Sequence, residues 1–161
     1  QKKRVLIFLD PGGEPLGAGY NIIQSKIAIG SGGLFGKGLL NGTQSHLSFL
    51  PEYETDFIFS FLTEELGFIG GLVLLILYFI LIVSSLAVAI NSKSTFKKLM
   101  VVGLTSIFFS HVFINIAMVM GMMPVVGVPL PFVSYGGTIM VTMLISFGLI
   151  MNAGVHQHSN I

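Results

Sequence analysis

An all-α integral membrane fold is the architecture this sequence predicts. It reads as a polytopic helical bundle fragment with three transmembrane helices and a large glycine-rich extracytoplasmic loop. Three observations lead there. The 161 residues are 53% hydrophobic and only 9% charged, with a mean hydropathy of +0.88, whereas a soluble domain carries about 25% charged residues. Three apolar stretches are each long enough to cross a bilayer, which takes about 20 residues. Charge is also segregated. All seven acids (Asp10, Glu14, Glu52, Glu54, Asp56, Glu64 and Glu65) precede residue 66, and beyond it only Lys93, Lys97 and Lys98 are charged.

The chain divides near residue 56. Residues 1–55 form an extracytoplasmic loop with short helical or re-entrant pieces, and they hold 10 of the 20 glycines. Tyr20–Ile29 is mildly apolar and suits a short helix or a re-entrant piece at the membrane surface. The run Gly30-Ser-Gly-Gly-Leu-Phe-Gly-Lys-Gly38 favours turns and close backbone approach. Residues 56–161 form three transmembrane helices of one larger membrane domain, at about 57–90, 99–120 and 136–155. The first starts near Asp56 or Phe57, because residues 57–62 are already apolar. Glu64 and Glu65 then sit at the membrane's upper edge, about 100° apart on the helix, with one facing the bundle and the other solvent or headgroups. The second carries His111 and Asn115 on one face, four residues apart. A loop with Pro124, Pro129 and Pro131 separates it from the third and is expected to be irregular. Ser134-Tyr-Gly-Gly137 suits a helix entry with small residues for close packing.

Basic residues near the span ends set the orientation. The loop at 91–98 has three lysines and no acid, whereas the 20 residues before Phe57 hold only Lys37. The lysine loop and the C-terminal tail are therefore cytoplasmic, and residues 1–55 lie outside. Lys2, Lys3 and Arg4 run against this. The chain opens without a methionine and reads as the C-terminal piece of a longer protein.

Several function classes drop out. A net charge of +1 gives no reason to expect nucleic acid, and without cysteines there are no disulfides or thiolate metal sites. The glycine run fails the nucleotide-loop pattern, because Ser31 stands where that pattern needs Gly and Gly38 where it needs Ser or Thr. What remains is either a turn-rich loop or a cradle of backbone N–H groups and Lys37 near an anionic headgroup.

Asp56 is the most informative acid. An Asp at a helix start is ordinarily an N-cap. Two features favour chemistry instead. Glu52 and Glu54 crowd it, and both like charge and an apolar boundary favour the protonated carboxyl, which suits a proton acceptor near neutral pH. The same acids could instead hold a divalent cation through oxygen ligands. His111 fits a satisfied interhelical hydrogen bond better than a ligand, and His156 and His158 a solvated tail.

Taken in order, these segments resemble a family. The matching residues are Pro15-Leu-Gly-Ala-Gly-Tyr-Asn-Ile-Ile-Gln-Ser-Lys-Ile-Ala-Ile-Gly-Ser-Gly-Gly33, Gly36-Lys-Gly38, Gly42-Thr-Gln-Ser45 and Phe49-Leu-Pro-Glu52. They continue with Thr55-Asp-Phe-Ile-Phe59, Glu64-Glu-Leu-Gly67, Asn115 and Pro124-Val-Val-Gly-Val-Pro-Leu-Pro-Phe-Val-Ser-Tyr-Gly-Gly137. The chain resembles the C-terminal part of the SEDS proteins (shape, elongation, division and sporulation), polytopic enzymes of bacterial wall synthesis. Its forms are closer to the RodA-like elongation branch than to the division branch.

The resemblance implies a peptidoglycan glycosyltransferase of the bacterial cytoplasmic membrane. Such an enzyme polymerises lipid II into glycan strands at the outer face, for elongation and rod shape, with a class B penicillin-binding protein as transpeptidase partner. It implies about ten spans in the whole protein, the last three of them here, and it puts the family's essential Asp on Asp56. Asp56 would act as general base on the acceptor's 4-hydroxyl, with inversion at the donor. Gln44, Ser45, Glu52, Thr55, Lys37, Lys26, Glu64, Glu65 and Ser134 become candidate substrate contacts or supports. Lys37, Lys26 or a divalent cation (Mg or Mn) near Glu52, Glu54 and Asp56 would offset the diphosphate. There are departures. Glu54 stands where RodA relatives often have His, and Glu14 where they often have Asp. Two other readings use the same residues: a lipid II flippase, and a non-catalytic membrane scaffold for a transpeptidase.

Overall fold

The computed structural model describes residues 18–38 and 55–155, and among them every regular element is helical. The described residues form four helices: α1 (Ala18–Ser31), α2 (Ile58–Asn91), α3 (Thr95–Val119) and α4 (Gly137–Val155). The last three are long and apolar enough to cross a membrane. The polytopic helical fold read from the apolar runs is therefore the one observed.

α2 and α3 form an antiparallel pair joined by a tight turn at 92–94, and α4 packs against both. α1 lies mainly on the upper part of α2 and reaches α3. Its anchor is Ser25, fully buried, whose hydroxyl is 2.6 Å from that of Ser60 on α2 and donates to the Val119 carbonyl at the end of α3 at 3.2 Å. One small polar residue thus ties three helices where a larger one would not fit.

The 34 residues of α2 would rise about 51 Å if straight, well beyond a hydrocarbon core of about 30 Å. The helix is broken at Gly67, whose φ of 71° and ψ of −170° lie outside the helical region. Residues 68–91 alone rise about 36 Å and suffice to cross. Residues 58–66 form the upper arm.

Apolar residues cover the outside of the spans, including Val73, Ile76, Phe79, Ile80, Phe109, Phe113, Val141 and Ile145. On a soluble protein such faces would aggregate. In a membrane protein such faces meet lipid or neighbouring helices. Several hydroxyls within the spans are satisfied by their own helix: Thr105 donates to Val101 O, Ser106 to Val102 O, Thr142 to Thr138 O and Ser146 to Thr142 O, at 2.7–2.8 Å. These bonds leave no unmet donor, whether the side chain is buried like Thr105 or exposed like Ser106.

Inside, Phe108 centres an aromatic cluster. Its ring meets Tyr78 at 5.7 Å, Phe132 at 6.0 Å and Phe147 at 5.1 Å, and so joins α2, α3, α4 and the proline-rich loop. Phe132 has a positive φ of 64°, a conformation bulky side chains avoid. Packing against Phe108 and Phe147 (5.5 Å) holds it there. The Tyr78 hydroxyl donates to the Pro131 carbonyl at 2.6 Å in a buried site, pinning the irregular loop to α2. Tyr78→Phe is expected to cost about 1 kcal/mol, read as a lowered Tm of the detergent-solubilised full-length protein.

Candidate functional site

Residues 55–57 enter α2 as a turn, and the side chain of Asp56 is largely buried there, 8% exposed. The helix N-cap itself is Phe57, whose side chain makes no capping bond. Asp56 thus precedes the N-cap position that a bland reading would give it.

Two side chains from distant parts of the sequence hold this turn. Asn115 on α3, fully buried, donates through Nδ2 to the Asp56 carbonyl at 2.9 Å and to the Val128 carbonyl at 2.6 Å. Ser134, at the entry to α4, donates to the Thr55 carbonyl. Thr55 and Ser134 are thereby brought together as site residues, and Asn115 is added to them. The proline-rich loop reaches back as well: a Cβ placed on Gly127 would lie 3.2 Å from Asp56 Oδ2. The glycine leaves the carboxylate its room, and its φ of 77° suits it to that backbone.

Beside the turn an open cavity of about 580 Å³ runs between the first turn of α2 and the entry to α4. Ile58, Phe61, Phe132, Ser134, Tyr135 and Met140 line it. Ser134, which lines the cavity, is the residue that bonds to the Asp56-bearing turn. Asn115→Ala removes both hydrogen bonds and leaves two carbonyls to find new donors. The expected loss is about 2–3 kcal/mol, measured as Tm, with a larger drop than for Tyr78→Phe.

A second polar cluster lies further along α2, at the Gly67 break. The break removes two helical hydrogen bonds, those from the 68 and 69 amides to the 64 and 65 carbonyls. The glycine-rich segment 32–38 replaces both. Lys37 N–H donates to Glu64 O and Gly38 N–H to Glu65 O, each at 3.1 Å. In return Phe68 N–H donates to Gly33 O at 2.9 Å and Ile69 N–H to Leu34 O at 3.3 Å. The approach is so close that a Cβ on Gly32, Gly36 or Gly67 would overlap backbone of the other partner. The Lys37 ammonium then sits 2.9 Å from Glu64 Oε1, with side-chain exposures of 28% and 1%.

This corrects one expectation. Glu64 and Glu65 are both buried, at 0% and 7% exposed, where one was expected to face solvent or headgroups. The glycine-rich segment covers the helix face that would otherwise be open. Lys37 is correspondingly engaged with a carboxylate, which leaves less net charge for an external anion. Lys26 on α1 is exposed, and its ammonium lies against Gly121 just past the C-terminus of α3, where the helix dipole favours a cation. His111 is half-buried, and its Nδ1 has no partner among the described residues; the interhelical bond expected for it is not made there.

Gln44, Ser45, Glu52 and Glu54 lie outside the described residues. Among the described residues no three His, Asp or Glu side chains are grouped as a metal would need. The sequence reading missed Asn115 and Gly127 as site residues. Asn115 carried a signal, being an amide in the middle of an apolar span.

Comparisons with known proteins bear on all of this. The family model described as cell cycle protein, covering FtsW, RodA and SpoVE, matches residues 1–159. The chain is 57% identical over 157 residues to the peptidoglycan glycosyltransferase MrdB of Escherichia coli K12, covering 98% of this chain and 42% of that protein. It is 46% identical to the peptidoglycan glycosyltransferase RodA of Treponema pallidum, covering 98% and 36%. With the stage V sporulation protein E of Bacillus subtilis it shares 44% identity, covering 93% and 41%. Its fold matches a chain in the solved structure of a peptidoglycan synthase complex that coordinates polymerization and crosslinking, with a TM-score of 0.81 and 30% identity over 99% of this chain and 43% of that one. The chain thus spans about two fifths of the length of these relatives.

Proposed function

Because the chain belongs to the FtsW/RodA/SpoVE family of cell cycle proteins, we propose that it carries the catalytic carboxylate of a peptidoglycan glycosyltransferase that polymerises lipid II. The observation that carries the reading is the placement of Asp56. Its carboxylate is nearly buried on a turn whose backbone carbonyls accept from Asn115 and Ser134, and an apolar cavity opens beside that turn.

In the proposed reaction Asp56 accepts the proton of the acceptor sugar's 4-hydroxyl. The freed oxygen forms a bond to the donor's anomeric carbon, and the bond from that carbon to the diphosphate oxygen breaks. Undecaprenyl diphosphate leaves, and the anomeric configuration inverts. A base must come within hydrogen-bonding reach of the hydroxyl it serves, and a turn at the bilayer edge brings one to a lipid-borne sugar. The leaving diphosphate needs positive charge. Lys26, exposed at the end of α3, is the described residue best disposed to supply it, and a divalent cation held by Asp56 with Glu52 and Glu54 is the other source.

Residues 1–55 and the proline-rich loop are then extracytoplasmic, and the 91–98 turn with its three lysines is cytoplasmic. The partner we propose is a class B penicillin-binding protein, in line with the synthase complex that this fold matches.

The test is lipid II polymerisation by the full-length protein with its transpeptidase partner in detergent. Glycan strands support the reading. A flippase makes no polymer in detergent and instead moves lipid II across vesicle membranes.

A further inference from the structure

The proposed chemistry does not use the unit formed by the glycine-rich segment and the Gly67 break. That unit is nonetheless one of the most heavily constrained parts of the molecule. Four backbone hydrogen bonds cross it, three glycines are needed for its close contacts, and it contains a partly buried ion pair.

Its position matters. The segment grips the carbonyls of Glu64 and Glu65, the last residues before Gly67, while Asp56 stands just ahead of the same upper arm. From Ile58 to Glu64 the arm rises only about 9 Å. The described chain ends at Gly38 and resumes at Thr55, and both of these ends are anchored. At one end Lys37 and Gly38 bind the break. At the other Ser134 and Asn115 bind Thr55 and Asp56.

An interrupted helix next to glycine can bend in more than one direction, and backbone bonds alone leave that hinge compliant. The Lys37–Glu64 pair is a directional side-chain link across it. With Glu64 1% exposed, removal of the ammonium takes an opposite charge away from a buried carboxylate, which is unfavourable.

We propose that Lys37 and Glu64 are a positioning pair. Their ion pair latches the 33–38 segment into the helix break and so fixes the arm and loop stem that aim Asp56. This rests on the glycosyltransferase reading above. The pair touches no reacting atom. Its effect runs through geometry, where a displacement of about 1 Å can lower a rate by about a hundredfold.

The experiment uses full-length protein with its partner and compares Lys37→Met, Glu64→Gln, the double variant and Lys37→Arg. Both single variants are expected to lower kcat for lipid II polymerisation by about tenfold to a hundredfold, with KM changed by less than about twofold. The double variant should be no worse than the poorer single variant, since the two changes break one link. Lys37→Arg, which keeps the ion pair, should retain most of kcat. Hydrogen exchange at the Phe68 and Ile69 amides should quicken in Lys37→Met and Glu64→Gln and not in Lys37→Arg.

A raised KM at unchanged kcat in Lys37→Met, with Glu64→Gln unaffected, would make Lys37 a substrate ligand and overturn the proposal. So would unchanged exchange at Phe68 and Ile69, whatever the activity. If wild type makes no polymer while exchange still responds to Lys37→Met, the glycosyltransferase reading fails and the latch loses its role in positioning a base.

Discussion

Gly67→Ala is expected to be among the most destabilising single-methyl changes in the described part of the chain, at about 4 kcal/mol or more. Two causes add. The backbone at Gly67, with φ 71° and ψ −170°, is in a region that is essentially glycine's alone, and forcing another residue there costs about 1–3 kcal/mol. The new Cβ would also fall on the Gly36 amide and the Leu34 carbonyl. The glycine-rich segment would have to withdraw, giving up four hydrogen bonds of about 1 kcal/mol each. At a membrane edge the orphaned groups find less water, so the loss grows. One escape is open: α2 could straighten and recover its own helical bonds. That would redirect the upper arm and carry Asp56 away from its anchors. Thermal melting of the full-length protein in detergent measures the first outcome, and faster exchange at the Lys37 and Gly38 amides the second. Unchanged Tm together with unchanged exchange would refute this account of the break.

Asp56→Asn should remove most of the activity and little of the fold. The amide matches the carboxylate in shape, so it fits the space that Gly127 leaves. The bonds from Asn115 and Ser134 go to backbone carbonyls and do not depend on the side chain. What is lost is the capacity to accept a proton. A positioned general base contributes about 10²–10⁴-fold to rate, so turnover should fall by that factor, while expression and partner binding stay near wild type. Asp56→Glu should also be poor, because an added methylene pushes the carboxylate out of a site set by two anchored carbonyls.

Much of this was legible in the residues. Uncharged runs such as residues 66–90 announce the spans, because nothing else tolerates so little polarity. Asp56 stands out because an acid immediately before such a run is at a boundary by necessity. Three prolines within 124–131 mark a loop. The Gly67 break was not legible. A glycine inside a long apolar helix is ordinarily tolerated, and what breaks the helix is a backbone segment 30 residues earlier in the chain that takes its hydrogen bonds. The burial of both Glu64 and Glu65 followed from the same unseen segment. Asn115 could be placed on a helix face by its spacing from His111, but its acceptors, Asp56 and Val128, are carbonyls that no side-chain pattern reveals. The positive φ of Phe132 has no local signal either. It accompanies aromatic packing against two helices, α3 and α4.

The central claim is that Asp56 is the base of a polymerisation reaction. Its most direct test is the yield of glycan strands from lipid II in detergent. Full-length wild type and Asp56→Asn would be compared in their complexes with the transpeptidase, at equal amounts of folded protein. Strands from wild type, and a loss of about 10²-fold or more in the variant, are the predicted result. Equal strands from both would contradict the claim and remove Asp56 from the chemistry.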